Sequence, residues 1–416
     1  MNLLDKPPII VLAAVFLLIA VRQIGRFRFQ IWHVMTAGAA AVLLLGSITP
    51  SEAVQAINID VMLFLLGMFV VGEALHQSGY LFHLADRLFR SARTVDRLIL
   101  RVLFAMGLLS ALLMNDTLAI ICTPLMLYFA RQHVISPKLM LLTLAFAITT
   151  GSVLSPIGNP QNLLIAVDGH VPNSFVLFLF YLGTPTIASL LVAYLALRVF
   201  YKSEFHSVQL EHAVEPLTDL QLAVMSRLSL WIIGALIGIR VISSFVRILP
   251  DFSLTWIAML AAAPILIRSR NRFRVLARID WATLAFFAAM FVLMESVWRT
   301  GVVQSMLSYT GWNVGSSPSI LGISVAVSQL ISNVPFVALY LPILQHTGDP
   351  LLAKMALAAG STIAGNLLIL GAASNIIVIQ NAERQGETLT FWEFARVGIP
   401  LTLVQTAFYL AYLSLF

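Results

Sequence analysis

The sequence predicts an all-α polytopic membrane protein with about ten transmembrane helices and two re-entrant hairpins, built as two inverted-topology repeats with broken helices. Composition is the first reason, because 59% of the 416 residues are hydrophobic and only 11% are charged, whereas a soluble globular chain carries about 25% charged residues. The second reason is the spacing of the apolar stretches. The third is a repeat that relates the two halves of the chain.

Ten apolar stretches are long enough to cross about 30 Å of hydrocarbon as helices. An Arg-rich loop follows the first stretch and no small-residue cleavage site is present there, so we interpret it as a retained span and not as a signal peptide. The ten stretches lie near 7–22, 31–48, 60–77, 138–166, 173–199, 228–247, 254–268, 279–298, 351–380 and 392–415.

Two further apolar pieces are each interrupted by a polar tip. The piece at 102–130 contains Met114-Asn115-Asp116-Thr117, and the piece at 317–345 contains Ser332-Asn333-Val334-Pro335. Each half of a piece is too short to span, so each piece is predicted to enter and leave the membrane on one side. Backbone broken at membrane depth is tolerated only where protein buries it or where it lines a wet cavity.

Two of the ten predicted spans contain a polar break of their own, GNPQN at 158–162 and GAASN at 371–375. Gly158 allows the backbone to turn or to be approached closely, and Pro160 suits the first turn of a restarting helix. Free carbonyls before a break suit a cation, and free amides after it suit an anion. One break could therefore serve both a coupling ion and an anionic substrate.

The two halves of the chain share three segments in the same order. MFVVGEALHQSG (68–79) matches MFVLMESVWRTG (290–301), NDTLAIICTPL (115–125) matches NVPFVALYLPI (333–343), and GNPQNLLIA (158–166) matches GAASNIIVI (371–379), at offsets of 222, 218 and 213. The matched spans run in opposite directions in the predicted topology. Transporters built from inverted repeats place their site near the bilayer midplane, where the broken helices of the two repeats meet.

The distribution of basic residues predicts the orientation, because Lys and Arg favour cytoplasmic loops. Placing the N- and C-termini on the outer side of the cell (inner) membrane puts most of the 25 basic residues in cytoplasmic loops. The expected divisions are a peripheral first span and basic loop at 1–30, repeat 1 at 31–199, a cytoplasmic linker and peripheral span at 200–253, and repeat 2 at 254–416.

IGNPQN resembles the IGxPxN break of the ion transporter superfamily, which includes the arsenite permeases, related sodium/proton antiporters, and the divalent-anion and citrate transporters. Asn115-Asp116 resembles the first tip of arsenite-permease-like members, and Ser332-Asn333-Val334 resembles a Ser-Asn-Thr triplet with Val in place of Thr. The resemblance implies a site enclosed by two tips and two breaks. The residues expected to bind substrate or ion are Asn115, Asp116, Thr117, Gly158, Asn159, Asn162, Ser332, Asn333, Gly371, Ser374 and Asn375.

Asp116 is the first candidate for proton or cation coupling. A carboxylate at mid-membrane costs about 3 kcal/mol on insertion scales, so it must pair, bind a cation or hold a proton. Neither tip and neither break contains Lys or Arg. The alternatives are a neutral Asp116 that caps the hairpin through its own backbone and an ion pair with Arg240.

Glu73 and Glu295 are equivalent under the repeat, and both lie inside predicted spans. They are interpreted either as structural acids that fasten a helix to its neighbour or as a proton relay. Glu73 and His76 have the ExxH spacing that can bind metal on a helix. Because Trp298 stands where a second His would be needed, we expect no metal site.

The motifs absent from the sequence favour a transporter over an enzyme. No Walker-type loop, nucleophile elbow or zinc signature occurs, and the single Cys122 permits no intrachain disulfide. We predict a secondary active permease for a small anion or oxyanion-like solute, coupled to H+ or Na+ and working by elevator-like alternating access. A sodium/proton antiporter and an arsenite efflux permease are the alternatives.

The expected partners follow from that prediction. They are a small-molecule anion, a coupling cation and the lipid bilayer, with no cofactor and no nucleic acid. A homodimer and an ATPase subunit acting in trans stay open.

Overall fold

The computed structural model describes residues 6–21, 23–24, 27–28, 30–89, 92–205, 219–246, 253–302, 315–346, 348 and 350–416. Residues 206–218 and 247–252 of the predicted linker and peripheral span at 200–253 lie outside the described residues. The same is true of Arg22, Arg26 and Arg90, three of the basic residues used to predict the orientation.

Helices dominate the first half of the chain, because a helix satisfies its own backbone hydrogen bonds where lipid offers no partner. Gln23 and Arg28 face each other in a two-residue antiparallel ribbon. In chain order the elements are α1 (Pro7–Val21), β1 (Gln23–Ile24), β2 (Phe27–Arg28), α2 (Ile31–Leu44), α3 (Pro50–Ala56), α4 (Ile59–Ser78), α5 (Tyr80–Phe89), α6 (Val95–Leu112), α7 (Asn115–Gln132), α8 (Pro137–Ser152), α9 (Pro160–Val167) and α10 (Ser174–Phe200).

The second half repeats this pattern after a short 3-10 turn at Lys202–Glu204. Two more 3-10 turns, Ala364–Asn366 and Ile369–Gly371, separate the helix Leu351–Ile363 from the helix Ala373–Glu383. The helices are α11 (Leu220–Val246), α12 (Leu254–Arg268), α13 (Arg272–Arg278), α14 (Trp281–Trp298), α15 (Ser317–Ile331), α16 (Asn333–His346), α17 (Leu351–Ile363), α18 (Ala373–Glu383) and α19 (Phe391–Leu413).

Each predicted span corresponds to a helix or to a broken helix, which confirms the predicted all-α class. Five helices among the described residues are long and apolar enough to cross a membrane alone: α4, α10, α11, α14 and α19. The helices α1, α2 and α12 are apolar but have only 14 or 15 residues. The two remaining spans are interrupted.

The two predicted hairpins are present, and their tips are very short. Leu113 and Met114 join α6 to α7, which form the first hairpin, and Ser332 alone joins α15 to α16, which form the second hairpin. The first hairpin begins earlier than predicted because the Thr94 side chain caps α6 by accepting the Arg97 N–H at 3.3 Å. Before this hairpin lies α5, an amphipathic helix that ends at Phe89.

The two interrupted spans are the first broken helix, α8 and α9, and the second broken helix, α17 and α18. The first is interrupted between Ser152 and Pro160, and the second between Ile363 and Ala373. In α8, all side chains from Leu139 to Ser152 are buried. The broken helices therefore lie at the centre of the molecule.

Helix packing in one half is repeated with exchanged partners in the other. Helix α4 packs on α12, and α2 packs on α14. In the first half α6 packs on α8, and in the second half α15 packs on α17. Since α2 corresponds to α12 and α4 to α14, this exchange is what two repeats related by a two-fold axis produce. We call α2, α4, α12 and α14 the scaffold helices, and the two hairpins with the two broken helices the hairpin bundle.

Candidate functional site

A large cavity of about 580 Å³ lies between the hairpin bundle and the N-terminal ends of α2 and α14. Both hairpin tips and both breaks contribute to its lining. The lining residues are Gln30, Ile31, Trp32, Asn115, Asp116, Pro160, Gln161, Asp280, Ala282, Thr283, Phe286, Phe287, Ser332, Asn333, Val334, Ala372, Ala373, Ile376, Ile377 and Gln380. Its volume is in the range of small-molecule sites.

The first tip reaches the large cavity through Asn115 and Asp116. The Asn115 backbone N–H donates to the Gly158 carbonyl at 3.0 Å, which fastens this tip to the first break. The Asn115 side chain accepts the Asp116 N–H at 2.9 Å. The Asp116 carboxylate forms no ion pair with any described residue.

The second tip reaches the large cavity through Ser332 and Asn333. Ser332 has φ 69° and ψ 160°, a backbone conformation that is essentially restricted to glycine. Asn333 is only 4% exposed, and its Oδ1 has no hydrogen-bond partner among the described residues. Strained residues and unsatisfied buried acceptors concentrate at functional sites, so this tip is a candidate part of the site.

The asparagines of the first break hold the break together and do not line the large cavity. Asn159 caps α9 by accepting the Asn162 N–H at 2.8 Å, and it donates to the Ser152 hydroxyl at 2.9 Å. Asn162 donates through Nδ2 to the carbonyls of Ser152 and Ser155, both at 3.1 Å. Its neighbour Gln161 lines the cavity instead.

The second break repeats the role of the shared asparagine. Asn375 Nδ2 donates to the Gly365 carbonyl at 2.6 Å, ten residues earlier, just as Asn162 donates to a carbonyl ten residues earlier. The Ser374 hydroxyl and Asn375 Oδ1 are buried and have no hydrogen-bond partner in the described ranges of the chain. Gly371, Ser374 and Asn375 lie behind the cavity wall, which Ala372 and Ala373 form.

Thr362 joins the two broken helices, although it lies outside the polar motifs of the sequence. Its hydroxyl donates to Asn162 Oδ1 at 3.3 Å and accepts from Asn159 Nδ2 at 3.2 Å and Gln161 Nε2 at 3.4 Å. At the offset of 213 that relates the breaks, Thr362 corresponds to Thr149. Extending the repeat alignment upstream of the breaks could therefore have found it.

Asp280 is a second carboxylate at the large cavity, and it too was missed. Its side chain caps α14, because Oδ1 accepts the Thr283 N–H at 2.9 Å and Oδ2 accepts the Thr283 hydroxyl at 2.6 Å. At the offset of 222 it corresponds to Asn58, which caps α4 through the Val61 N–H at 3.0 Å. Two carboxylates and no Lys or Arg lie among the described residues that line the cavity.

Thr117 faces a second, smaller cavity of about 60 Å³, whose lining includes Glu73, His76, Arg278 and Asp280. This small cavity lies where α4 meets α7. Thr117 is therefore not brought together with Asn115 and Asp116 at the large cavity.

Glu73 and Glu295 make equivalent contacts within their own segments. Glu73 Oε1 accepts from Gln77 Nε2 at 2.7 Å, and Glu295 Oε1 accepts from Arg299 Nε at 2.7 Å. These contacts favour the structural interpretation for the pair, although Glu73 also lines the small cavity. Within the described residues, no group of three His, Cys, Asp or Glu side chains could hold a metal ion.

The scaffold helices also contact the hairpin bundle at the N-terminus of α4. Asn58 donates to the carboxylate of Asp168, which follows α9. Gln345, at the end of the second hairpin, donates to the Asp168 carbonyl at 2.8 Å. Burial raises the pKa of Asp168 to about 6, although the hydrogen bond from Asn58 acts in the opposite direction.

The sequence is similar to known transporters over most of its length. The sequence model of a family described as "Citrate transporter" matches residues 14–351. An uncharacterized transporter of Mycobacterium tuberculosis (strain ATCC 25618 / H37Rv) is 29% identical over 431 residues, covering 97% of each chain. The silicon efflux transporter LSI3 of Oryza sativa subsp. japonica is 26% identical over 442 residues, covering 89% of each.

Two further similarities extend over nearly the whole chain. The P protein of Mus musculus is 24% identical over 493 residues, which cover 97% of this chain and 59% of that protein. The crystal structure of the Alcanivorax borkumensis YdaH transporter matches with a TM-score of 0.58 and 15% identity, covering 99% of this chain and 98% of that one. This structural match shows the fold.

Proposed function

The chain belongs to the citrate transporter family, and on that premise we propose that it moves a small anion or oxyanion-like solute by secondary active transport. It is a multi-pass membrane transporter and not an enzyme. We propose in addition the class of solute, the coupling to a proton or a cation and the mechanism of alternating access.

The convergence of both tips and both breaks on one cavity carries the proposal. These four polar interruptions are far apart in the sequence, yet Asn115, Gln161, Asn333 and Ala372 line the same space. Neutral amides and helix N-termini can bind an anion without the desolvation cost of a fixed cationic group. We propose this large cavity as the solute site.

The charge of the lining supports coupling to a proton or a cation. Asp116 and Asp280 face the cavity without a Lys or Arg among the described lining residues. An anion beside two ionised carboxylates is repelled, whereas a bound proton or cation removes that repulsion. The same lining favours a solute of low charge, and silicic acid, a neutral oxyacid, is one candidate in view of the rice silicon efflux transporter.

The two carboxylates also support a second candidate, sodium/proton antiport. In that case Asp116 would bind sodium and protons in turn, and no anion would be needed. Arsenite efflux is a third candidate, in which the neutral arsenous acid takes the place of the anion.

For alternating access, we propose that the hairpin bundle moves against the scaffold helices. The large cavity lies between these two groups of helices. A site in that position can open to one side of the membrane and then to the other as the bundle moves. We further propose an inner-membrane location with both termini on the outer side, because most basic residues then face the cytoplasm.

Transport by purified protein in proteoliposomes tests the proposal directly. Uptake and efflux of citrate, sulfate, arsenite, silicic acid and sodium are measured with and without a pH gradient. We expect at least one of the four anions or oxyacids to move faster than in protein-free vesicles, with a rate that depends on the gradient. Sodium exchanging with protons while none of these solutes moves would overturn the anion proposal, and no flux at all would overturn both.

A pair of asparagine variants separates binding from folding. Asn333→Ala removes an acceptor that has no partner among the residues that the structure describes, so we expect solute flux to fall at least about tenfold with little change in thermal stability. Asn162→Ala leaves the carbonyls of Ser152 and Ser155 without their donor, at about 1–3 kcal/mol of stability. If Asn333→Ala transports at the wild-type rate, the second tip is not part of the site.

A further inference from the structure

Asp280 is common to the linings of both cavities. The large cavity contains it together with Asp116, and the small cavity contains it together with Glu73 and His76. A carboxylate shared by two adjoining cavities can exchange a proton with groups in either of them. No role in the solute site requires the second cavity.

We propose that Asp280 is a proton-transfer residue that connects the small cavity to Asp116. Protons would then reach the large cavity along His76, Glu73 and Asp280, by a route separate from that of the solute. The inference rests on the proposed function, because it assigns the entry route of the coupling proton.

The small cavity has the groups and the size that such a route needs. His76 is exposed, whereas Glu73 and Asp280 are half-buried, so the titratable groups lead inward. The Gln77 amide donates to Oε1 of Glu73. A volume of about 60 Å³ exceeds the 10–15 Å³ that one water molecule requires, so water can bridge groups that do not touch.

Close packing brings this route to the first tip. A Cβ built at Gly72 would lie 2.6 Å from Thr117 Cγ2, so only glycine allows α4 to approach the first turn of α7 so closely. Glu73 follows Gly72 in the chain, and Asp116 precedes Thr117. The scaffold helix therefore places its carboxylate beside the tip that carries Asp116.

The charges around Asp280 are few. Among the described residues that line the two cavities, α4 contributes Glu73 and His76, and α7 contributes Asp116. Arg278, the last residue of α13, is the remaining charged group. The lining residues contributed by α2 and its cap are uncharged. Two facing carboxylates repel each other, and one shared proton removes one of the two charges.

An unpartnered acceptor in the large cavity supports a proton-bearing group there. Within the described part of the chain, Asn333 Oδ1 is buried without a hydrogen-bond partner, and its residue lines the same cavity as Asp116. A buried acceptor gains most from a donor that arrives with the proton. A protonated Asp116 supplies such a donor to the cavity, whereas an ionised one offers only acceptors.

The transfer balances with no other reactant. A proton from the aqueous side binds a carboxylate oxygen of Asp280. Its O–H bond then breaks as an O–H bond forms on Asp116, directly or through water, and Asp280 returns to the carboxylate form. Asp116 releases the proton after the hairpin bundle has moved.

Asp280→Asn tests this route with little disturbance of the fold. Asn is as good an N-cap as Asp, and Asn58 already fills the equivalent position at the start of α4. The matched control is Asp219→Asn, since Asp219 caps α11 through the Leu222 N–H at 2.9 Å and lines neither cavity. Asp280→Glu is the conservative variant that should restore transfer.

The measured quantity is the ratio of proton flux to solute flux in proteoliposomes that contain a pH-sensitive dye. Citrate, sulfate, arsenite and silicic acid are the solutes tested. We expect Asp280→Asn to lower the ratio at least about tenfold, with Asp280→Glu restoring most of it and Asp219→Asn leaving it unchanged. A merely structural or solute-binding role would lower both fluxes together and leave the ratio unchanged.

Each outcome separates this inference from the proposed function. Absence of any solute or sodium flux in the wild-type protein overturns both, whereas solute flux that carries no protons overturns the inference alone. If the wild-type protein shows coupled flux, an unchanged ratio of proton flux to solute flux in Asp280→Asn overturns the inference alone. This holds whether both fluxes persist or both fall in proportion. If Asp280→Asn does not fold, the double variant Glu73→Gln with His76→Gln tests the same route, and an unchanged ratio there overturns it.

Discussion

Replacing Gly158 by alanine should test how the first break positions the first tip. A Cβ built at Gly158 would lie 2.4 Å from the Ser152 carbonyl oxygen, 2.8 Å from Ser152 Cα and 3.0 Å from the Ser110 carbonyl oxygen. All three atoms belong to backbone, so no side-chain rotation can relieve the overlap. The Gly158 carbonyl also accepts the Asn115 N–H, so the tip must move with the break.

The expected cost follows from these contacts. Overpacking a buried site typically costs about 1–3 kcal/mol. The Ser152 carbonyl also accepts from Asn162 Nδ2 at 3.1 Å, and a weakened hydrogen bond adds about 0.5–1.5 kcal/mol. We therefore expect Gly158→Ala to lower the free energy of unfolding by about 2–4 kcal/mol. Solute flux should fall further than this loss explains, because Asn115 and Asp116 are displaced.

Thermal unfolding in detergent and solute flux in proteoliposomes measure the two effects. Gly234→Ala in α11 is the matched control, because no atom lies within 4 Å of a Cβ built there. It should be neutral or stabilising by up to about 1 kcal/mol, since alanine favours helix over glycine. Equal melting temperatures and fluxes for the two variants would refute the argument that Gly158 is required by close packing.

Three further predictions concern the second tip and the polar contacts outside the spans. Ser332→Gly should stabilise the protein by about 1–3 kcal/mol relative to Ser332→Ala, because only glycine relieves the strained backbone; equal melting temperatures would contradict this. Burial raises the pKa of Asp168 to about 6, so the folded state binds a proton that the unfolded chain releases above pH about 4. The contribution of Asp168 to the free energy of unfolding should then be highest below pH about 4 and fall by about 3 kcal/mol as pH rises through about 6, and thermal melts of Asp168→Asn should lack this change. Hydrogen bonds from Thr49, and to a lesser extent from Arg299, lower the pKa of Glu52 to about 2. Arg299→Gln should therefore raise the pKa of Glu52 only in part, as measured by titrating the carboxyl group with nuclear magnetic resonance. A return of this pKa to its ordinary value would show that Thr49 contributes nothing.

The fold class and the positions of the interruptions were predictable from the sequence. Long apolar runs form helices wherever they lie, and polar residues inside such runs mark breaks, so both signals are local. The family resemblance drawn from IGNPQN and the two tips is confirmed by the family match over residues 14–351. The domain divisions and the roles of the individual site residues stay predictions.

The inward or outward direction of each polar side chain was not predictable. Asn159 and Asn162 fold back onto the end of α8, and Thr117 faces the small cavity, although all three lie in the motifs that mark the site. In a regular helix the periodicity predicts which face is buried. At a break or a tip the backbone leaves that periodicity, so neighbouring residues can point to opposite sides.

The sequence by itself determined the helices, the two hairpins, the two breaks and their repetition, because each of these depends on apolarity and chain length over a few turns. Only the tertiary structure decided that Asp280 shares a cavity with Asp116 and that Thr362 joins the two broken helices. These partners are far apart in the chain and are brought together by the packing of helices from opposite halves. Such contacts depend on how whole helices fit against one another, and no local pattern in the sequence records that fit.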